Sequence, residues 1–522
     1  MKKVFERLKL FKDCNLLNIF FLINNKSLQD KIDNDFKNLN KEYILIELQF
    51  HNVLLSLIYV NFCKFFKNKY KIIFFYYNKS DHKCKNNIFR LILFSYFKFL
   101  KKNFNAEIIN FYKGPNQNLS EKVNYLFSKI KNSNDVNKLS YKGIKFGRLV
   151  FQSYCREILL ETVDINDERL KNYIMEALVL IETLTCFFKK YNIKKIFISH
   201  SIFIKYGLVC RIGYKLRKSK IFILHLTGPQ GYFRQISLLR IFPPHFLQIE
   251  RYWNFKKEFK LLKNKKKFIQ LGKIDLNNRI HKSKISKILM ISDVNPYNQK
   301  KIIKIKSNKP KIIIIASCFF DAANFYKYSL FTDSYIFVNE ILKLAKNTDF
   351  EWYIKPHPDG LVPNSKTLKE IKKKFPFVNI LDSTVSNLTF KKNNFKAMFT
   401  FNGSAVHEFI SMGIPSFATS DNKQAGYNFG RCLKSKEILK KLVARADKIK
   451  NKFKMSEIYE FNYMYSFQKS KDWKKVDFLN KKEELEFLKL KQNKNYNLKM
   501  LSYIQNKIFN KSDKIQLFLN EI

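Results

Sequence analysis

AMFTFNGSAVHEFISMGIPSFAT, residues 397–419, writes out a strand, a tight loop, a helix and a second strand in one run. Residues 397–401 are apolar and aromatic, and they stop at Asn402-Gly403, a dipeptide that accepts the positive φ of a sharp turn. Ser404 stands where an N-cap belongs. Val406, Phe409, Ile410 and Met412 then recur at helical spacing, and Gly413 closes the helix as a C′ glycine does. Residues 414–418 resume as a strand. The unit is β-loop-α-β, and its loop lies at the carboxyl edge of a parallel sheet, where open α/β sheets bind ligands. Unpaired amides at the helix start favour an anion such as a nucleotide phosphate. Glu408, one turn in, is in reach of sugar hydroxyls on the same ligand. An ordinary crossover with a capped helix and a solvated glutamate also fits this stretch.

Two further strand ends point the same way. EWYIKPHPDG, residues 351–360, is a strand that breaks into a loop where Pro356 and Pro358 fix the backbone on either side of His357. KIIIIA, residues 311–316, is an apolar strand that opens into Ser317-Cys318-Phe319-Phe320-Asp321-Ala322. Three strand ends thus deliver Asp321, then Lys355 with His357, then Asn402, Gly403 and Ser404 with Glu408, and the expectation is one shared crevice.

The order of these segments resembles the bacterial surface and capsular polysaccharide biosynthesis proteins with a GT-B glycosyltransferase fold. There a Phe-x-Asp loop, a Lys-Pro-His-Pro strand end and a Gly-Ser/Thr-x-x-x-Glu helix start follow one another, as Phe319 to Asp321, Lys355 to Pro358 and Gly403 to Glu408 do here. The similarity continues through Gly426-Tyr427 and into the Ser-x-x-Glu-Tyr-like start at residues 435–439. It is thinner upstream, at Tyr141-Lys142-Gly143-Ile144, Phe146-Gly147 and Tyr154, and again at His200, Tyr206-Gly207 and Arg211. Arg148 stands where the family usually has an acidic residue, so no acidic role carries over to it.

Upstream, residues 43–47, 71–77 and 107–111 read as strands, and 51–66 and 87–100 as helices. The clearest βαβ of this half is strand 194–199, helix 203–216 and strand 220–226. Its first strand ends at His200 and its second at Thr227-Gly228-Pro229, a second ligand-facing edge. Residues 151–190 read as one long helix, with Glu157, Glu161, Asp164, Asp167 and Glu168 on a solvated face. The Lys-rich stretch 263–310 lacks periodicity and reads as the connection between domains. Asp33-Asn34-Asp35 reads as a turn, so no metal site is expected.

With 522 residues, 46% of them hydrophobic, the chain has enough apolar surface for two or three cores. Its net charge of +55 has three competing explanations: nucleic-acid binding, attraction to an anionic membrane surface, or an AT-rich codon bias that fills solvent positions with Lys. The Lys residues are spread along the whole chain with no nucleic-acid module signature, so no specific nucleic-acid partner is expected. Eight cysteines with no C-x-x-C pair argue for a reducing cytoplasm. Residues 16–23 form an apolar run too short for a signal peptide and read as a first strand. No stretch approaches the roughly eighteen apolar residues a membrane span needs, so a soluble or peripheral protein is expected.

The fold expected is α/β, two Rossmann-like domains facing a cleft with a C-terminal helical segment: residues 1–295, 296–450 and 451–522. The resemblance implies that the second domain holds a nucleotide-sugar and the first holds a glycan or lipid-linked glycan acceptor. It implies transfer to a capsule or lipopolysaccharide without a metal or cofactor beyond the donor. Lys355, Pro358, Asn402, Gly403, Ser404 and Glu408 are the expected donor contacts; His357, Asp321 and His200 are the candidate catalytic groups. Peripheral contact with the inner face of the cytoplasmic membrane is a further expectation. An epimerase-like enzyme on the same fold, a non-catalytic assembly subunit and a basic nucleic-acid binder remain as alternatives.

Overall fold

The computed structural model describes residues 42–48, 59, 62–63, 65–77, 97–227, 235–247, 252–281, 296–297, 301–320, 324, 329–357, 365–430, 433, 435–450, 453–467 and 473–477. The strands predicted at 16–23, the turn at 33–35 and most of the predicted helices at 51–66 and 87–100 lie outside these residues.

The first sheet starts with β1 (Tyr43–Glu47), β2 (Lys71–Tyr76) and β3 (Glu107–Asn110). Ile44, Leu45 and Ile46 are fully buried, as are Ile73 and Phe74, because a parallel strand covered by helices on both faces needs apolar residues on both. The chain then forms α1 (Ser120–Ser128), α2 (Gly147–Ile158) and α3 (Arg169–Lys190). It returns as β4 (Ile193–Ile198), α4 (Ile204–Arg217), β5 (Lys220–Thr227) and β6 (Gln235–Ile241). Pairing runs β6-β5-β4-β1-β2-β3, parallel except for β6. Leu45 of β1 sits between Ile73 of β2 and Ile196 of β4. From β1 the described course therefore winds to one edge and restarts on the other side of β1.

The long helix expected at 151–190 is two helices. Leu159 takes a left-handed φ of 60° and ends α2, and Asp164 and Asp167 accept from the amides of Asn166 and Arg169 in the connecting turn. Carboxylates read as a solvated helix face are turn formers, an arrangement that competes with helix wherever Asp reaches its own backbone.

The stretch read as the connection between domains contains α5 (Lys265–His281). The second sheet follows: β7 (Lys311–Ile315), α6 (Ser334–Ala345), β8 (Glu351–Lys355), α7 (Ser365–Lys374) and β9 (Asn379–Ile380). Then come β10 (Ala397–Thr400), α8 (Ala405–Ser411) and β11 (Ser416–Ala418), the β-loop-α-β unit read from the sequence. All five strands are parallel in the order β9-β8-β7-β10-β11. Both sheets thus carry the doubly wound pattern, and the fold is two Rossmann-like α/β domains.

The C-terminal region is not wholly helical. After α9 (Met455–Ser466), which packs on α5, β12 (Trp473–Asp477) joins the first sheet antiparallel to β6. The chain ends its described course on the domain where it began. No helix among the described residues is long and apolar enough to cross a membrane.

Candidate functional site

In a doubly wound sheet the crevice opens where winding reverses, beside the first strand laid down. In the second domain that point is the carboxyl end of β7 against β10. The Thr400 hydroxyl donates to the Ile315 carbonyl at 2.9 Å and ties the two strand ends together. The loop of Asn402, Gly403 and Ser404 leaves from there half-buried, with Gly403 at φ +138°, a conformation that favours glycine. Ser404 makes no capping hydrogen bond: its backbone is already helical, at φ −68° and ψ −20°, and not extended as a cap requires.

β8 lies on the other side of β7, so its end reaches the same edge. Lys355, its last residue, is 1% exposed, and its amine has no hydrogen-bond or ion-pair partner among the described residues. Burial lowers its pKa to about 8, against the pull of Glu408 and Asp382. A buried amine left without a protein partner is an anion-seeking group. His357 follows Pro356 and is exposed. The structure therefore brings Lys355, His357 and the 402–404 loop to one edge, whereas Asp321 and Pro358 lie outside the described residues.

Glu408, expected to meet ligand hydroxyls, is 1% exposed. Its carboxylate accepts from Arg279 Nε at 2.8 Å and from the Tyr297 hydroxyl at 2.5 Å. Burial alone would raise its pKa, but Arg279, His407 and the Tyr297 hydrogen bond outweigh it and hold the group at about 2. In this structure Glu408 anchors α8 to α5. The neighbouring His407 is buried, contacts Gln424 at 2.7 Å through Nδ1, and burial lowers its pKa to about 4, so it is neutral at pH 7.

The first sheet's switch point is equally furnished, with residues that the sequence reading missed. Glu47 ends β1, is 2% exposed, and accepts the Ser199 amide at 2.7 Å and the Ser199 hydroxyl at 2.8 Å. The Ser199 oxygen also contacts His200 Nδ1 at 2.7 Å. Donor counting settles the polarity. Ser199 has one hydroxyl proton and gives it to a carboxylate, so in the second contact the serine oxygen accepts and Nδ1 carries the hydrogen. In the neutral form of the ring, Nε2 is then the nitrogen without the hydrogen. An acidic residue closing an apolar strand, as in YILIE, was the one available signal for Glu47.

One helix joins the two edges. On α2, the Ser153 hydroxyl accepts the Ile204 amide at 3.1 Å, at the loop that carries His200. The adjacent Gln152 side chain bonds Asn324, in the segment that follows β7. Beyond α2, Thr162 donates to Asp333, the α6 cap, at 2.6 Å, and Thr367 donates to Glu161 at 2.8 Å. The carboxyl edges of both sheets therefore face a shared seam.

No family model matches the chain, and no curated protein matches it in sequence. Among solved structures it is similar to the Thermosulfurimonas dismutans KpsC, beta Kdo 2,4 transferase, at 14% identity and a TM-score of 0.34, over 52% of this chain and 79% of that one. The glycotransferase of kitacinnamycin matches at 8% identity and a TM-score of 0.24, over 81% and 94%. The Methanocaldococcus jannaschii UDP-GlcNAc 2-epimerase matches at 12% identity and a TM-score of 0.19, over 86% and 99%.

Proposed function

We propose that the protein is a glycosyltransferase, with a nucleotide-sugar held at the carboxyl edge of the second sheet and a surface glycan acceptor against the first. The observation that carries this reading is Lys355, a buried amine without a protein partner at a switch-point edge. Such a cation stabilises the charge that develops on a departing nucleotide phosphate, and His357 beside it adds a second donor. With α8 only seven residues long, the side chains and not the helix dipole carry this role.

The acceptor half of the reaction needs a base. His200 Nε2 takes the proton of the acceptor hydroxyl as its oxygen bonds the sugar carbon and the bond from that carbon to the phosphate oxygen breaks. Ser199 and Glu47 hold the ring in the required tautomer. Asp321 is the rival base: His200→Gln should abolish transfer and leave donor binding intact, and the same outcome from Asp321→Asn with an active His200→Gln would reassign the role. The reaction is metal-independent, so turnover persists in EDTA. A capsule or lipopolysaccharide is the acceptor class, worked on at the cytoplasmic face of an anionic membrane.

The test is a thermal-shift screen against CMP, UDP, GDP, CDP and dTDP on wild type and His357→Ala. A ligand at about a hundredfold over its dissociation constant stabilises by roughly 2.7 kcal/mol, a visible shift. One nucleotide should stabilise the wild type and lose its effect in the variant. If none stabilises the folded wild type, the glycosyltransferase reading fails.

A further inference from the structure

The first domain carries a cavity of about 350 Å³ between α1, α3 and the carboxyl ends of β2 and β3. We infer that it is a subsite for sugar units of the acceptor, upstream of the reacting hydroxyl; this rests on the transferase reading. Tyr77 directly follows β2, and Phe111 and Tyr112 directly follow β3, so strand geometry fixes all three rings. Tyr77 and Tyr112 meet edge to face, 5.4 Å apart at 81°, and form a corner. Phe111, buried against Phe187 at 5.0 Å, forms its floor.

The polar lining sorts possible guests. Glu176 accepts the Tyr77 hydroxyl and places a carboxylate in the wall. Lys113 and Lys171, the latter paired with Glu168, also line the cavity, so its wall carries both signs and offers sugar hydroxyls donors as well as an acceptor. Asn124, Asn172 and Ser120 line the cavity with side chains that have no protein partner among the described residues. Aromatic faces for the apolar side of a pyranose, with amides, a hydroxyl, a carboxylate and amines for its edge, are the chemistry of a sugar site. The volume falls in the range of small-molecule sites, about 300–1,000 Å³.

Position completes the inference. The cavity opens on the same sheet edge as His200, with β1 and β2 between β3 and β4. At about 4.8 Å per strand spacing, the cavity is on the order of 10–15 Å from the base. A short oligosaccharide seated in it would present its end to His200.

Saturation-transfer NMR on the full chain with maltotriose, cellotriose and chitotriose tests this, in wild type and Tyr112→Ala. At least one trisaccharide should bind the wild type, with its Kd raised fivefold or more in folded Tyr112→Ala while any nucleotide-dependent shift stays unchanged. No transfer to any of the three in folded wild type, or equal binding by Tyr112→Ala, would overturn the subsite. So would displacement of the sugar by a nucleotide. A nucleotide shift without sugar binding sinks only this inference; sugar binding without any nucleotide shift sinks the donor reading and leaves a sugar site.

Discussion

Burying the Lys355 amine at the end of β8 holds its pKa at about 8, below the ordinary lysine value, with Glu408 and Asp382 offsetting only part of the desolvation. The unfolded chain keeps that proton up to about pH 10.4, so between the two values it binds more protons than the folded state. Stability from this residue therefore rises as pH increases through that window and is lost as pH falls through 8. The shift corresponds to a cost on the order of 3 kcal/mol at neutral pH. Lys355→Met keeps the shape and removes the charge. The variant should melt higher than wild type at pH 7, with the difference shrinking toward pH 10, and should show no nucleotide-dependent shift. Urea midpoints at pH 7 and pH 10 decide it: an equal or lower midpoint at pH 7 would mean that the amine has a partner after all. The trade of stability for a ligand-seeking charge is the expected mark of a binding residue.

The contact of α5 with α9 is set by one glycine. A Cβ on Gly272 would stand 2.0 Å from the Tyr459 carbonyl oxygen, and the Gly272 carbonyl accepts from Asn462 at 2.9 Å. Gly272→Ala should destabilise by about 1–3 kcal/mol or more, read as a lower urea midpoint at unchanged m; an unchanged midpoint would show that the helices separate at no cost. The same helix explains why parts of the fold were illegible. Its buried face includes Asp275 and Arg279, bonded to Asn462, Ser466 and Glu408 more than a hundred residues away, so no apolar periodicity marks it. Strands β1 and β7 were legible because their burial on both faces demands unbroken Ile and Leu. At the site, Lys355, His357 and Gly403 could be read because prolines and a glycine mark strand ends locally. The pairing of Glu47 with Ser199 spans 152 residues and leaves no local mark. The bond of Glu408 to Arg279 was illegible for the same reason, since Arg279 belongs to a helix that the sequence disguises.

At the scale of the molecule, the net charge of +55 is a self-repulsion that the fold must withstand. Gln152 with Asn324, Thr162 with Asp333 and Thr367 with Glu161 are hydrogen bonds across the seam between the domains in which no Lys takes part. Most ion pairs among the described residues are exposed, such as Lys309 with Asp349, and each contributes at most about 1 kcal/mol. Raising NaCl shortens the screening length, about 10 Å at 0.1 M, and weakens both the repulsion and these pairs. With repulsion the larger quantity, the unliganded protein should melt a few degrees higher at 0.5 M than at 0.05 M NaCl, and a fall would show that the surface pairs matter more. The same series separates two origins of the charge. If Lys merely fills solvent positions, co-sedimentation with phosphatidylserine vesicles should decline smoothly to nothing across it, and phosphatidylcholine vesicles should never bind. If a defined basic face serves the membrane, binding to the anionic vesicles should persist at 0.15 M NaCl, where diffuse attraction between exposed charges is already screened beyond about 8 Å.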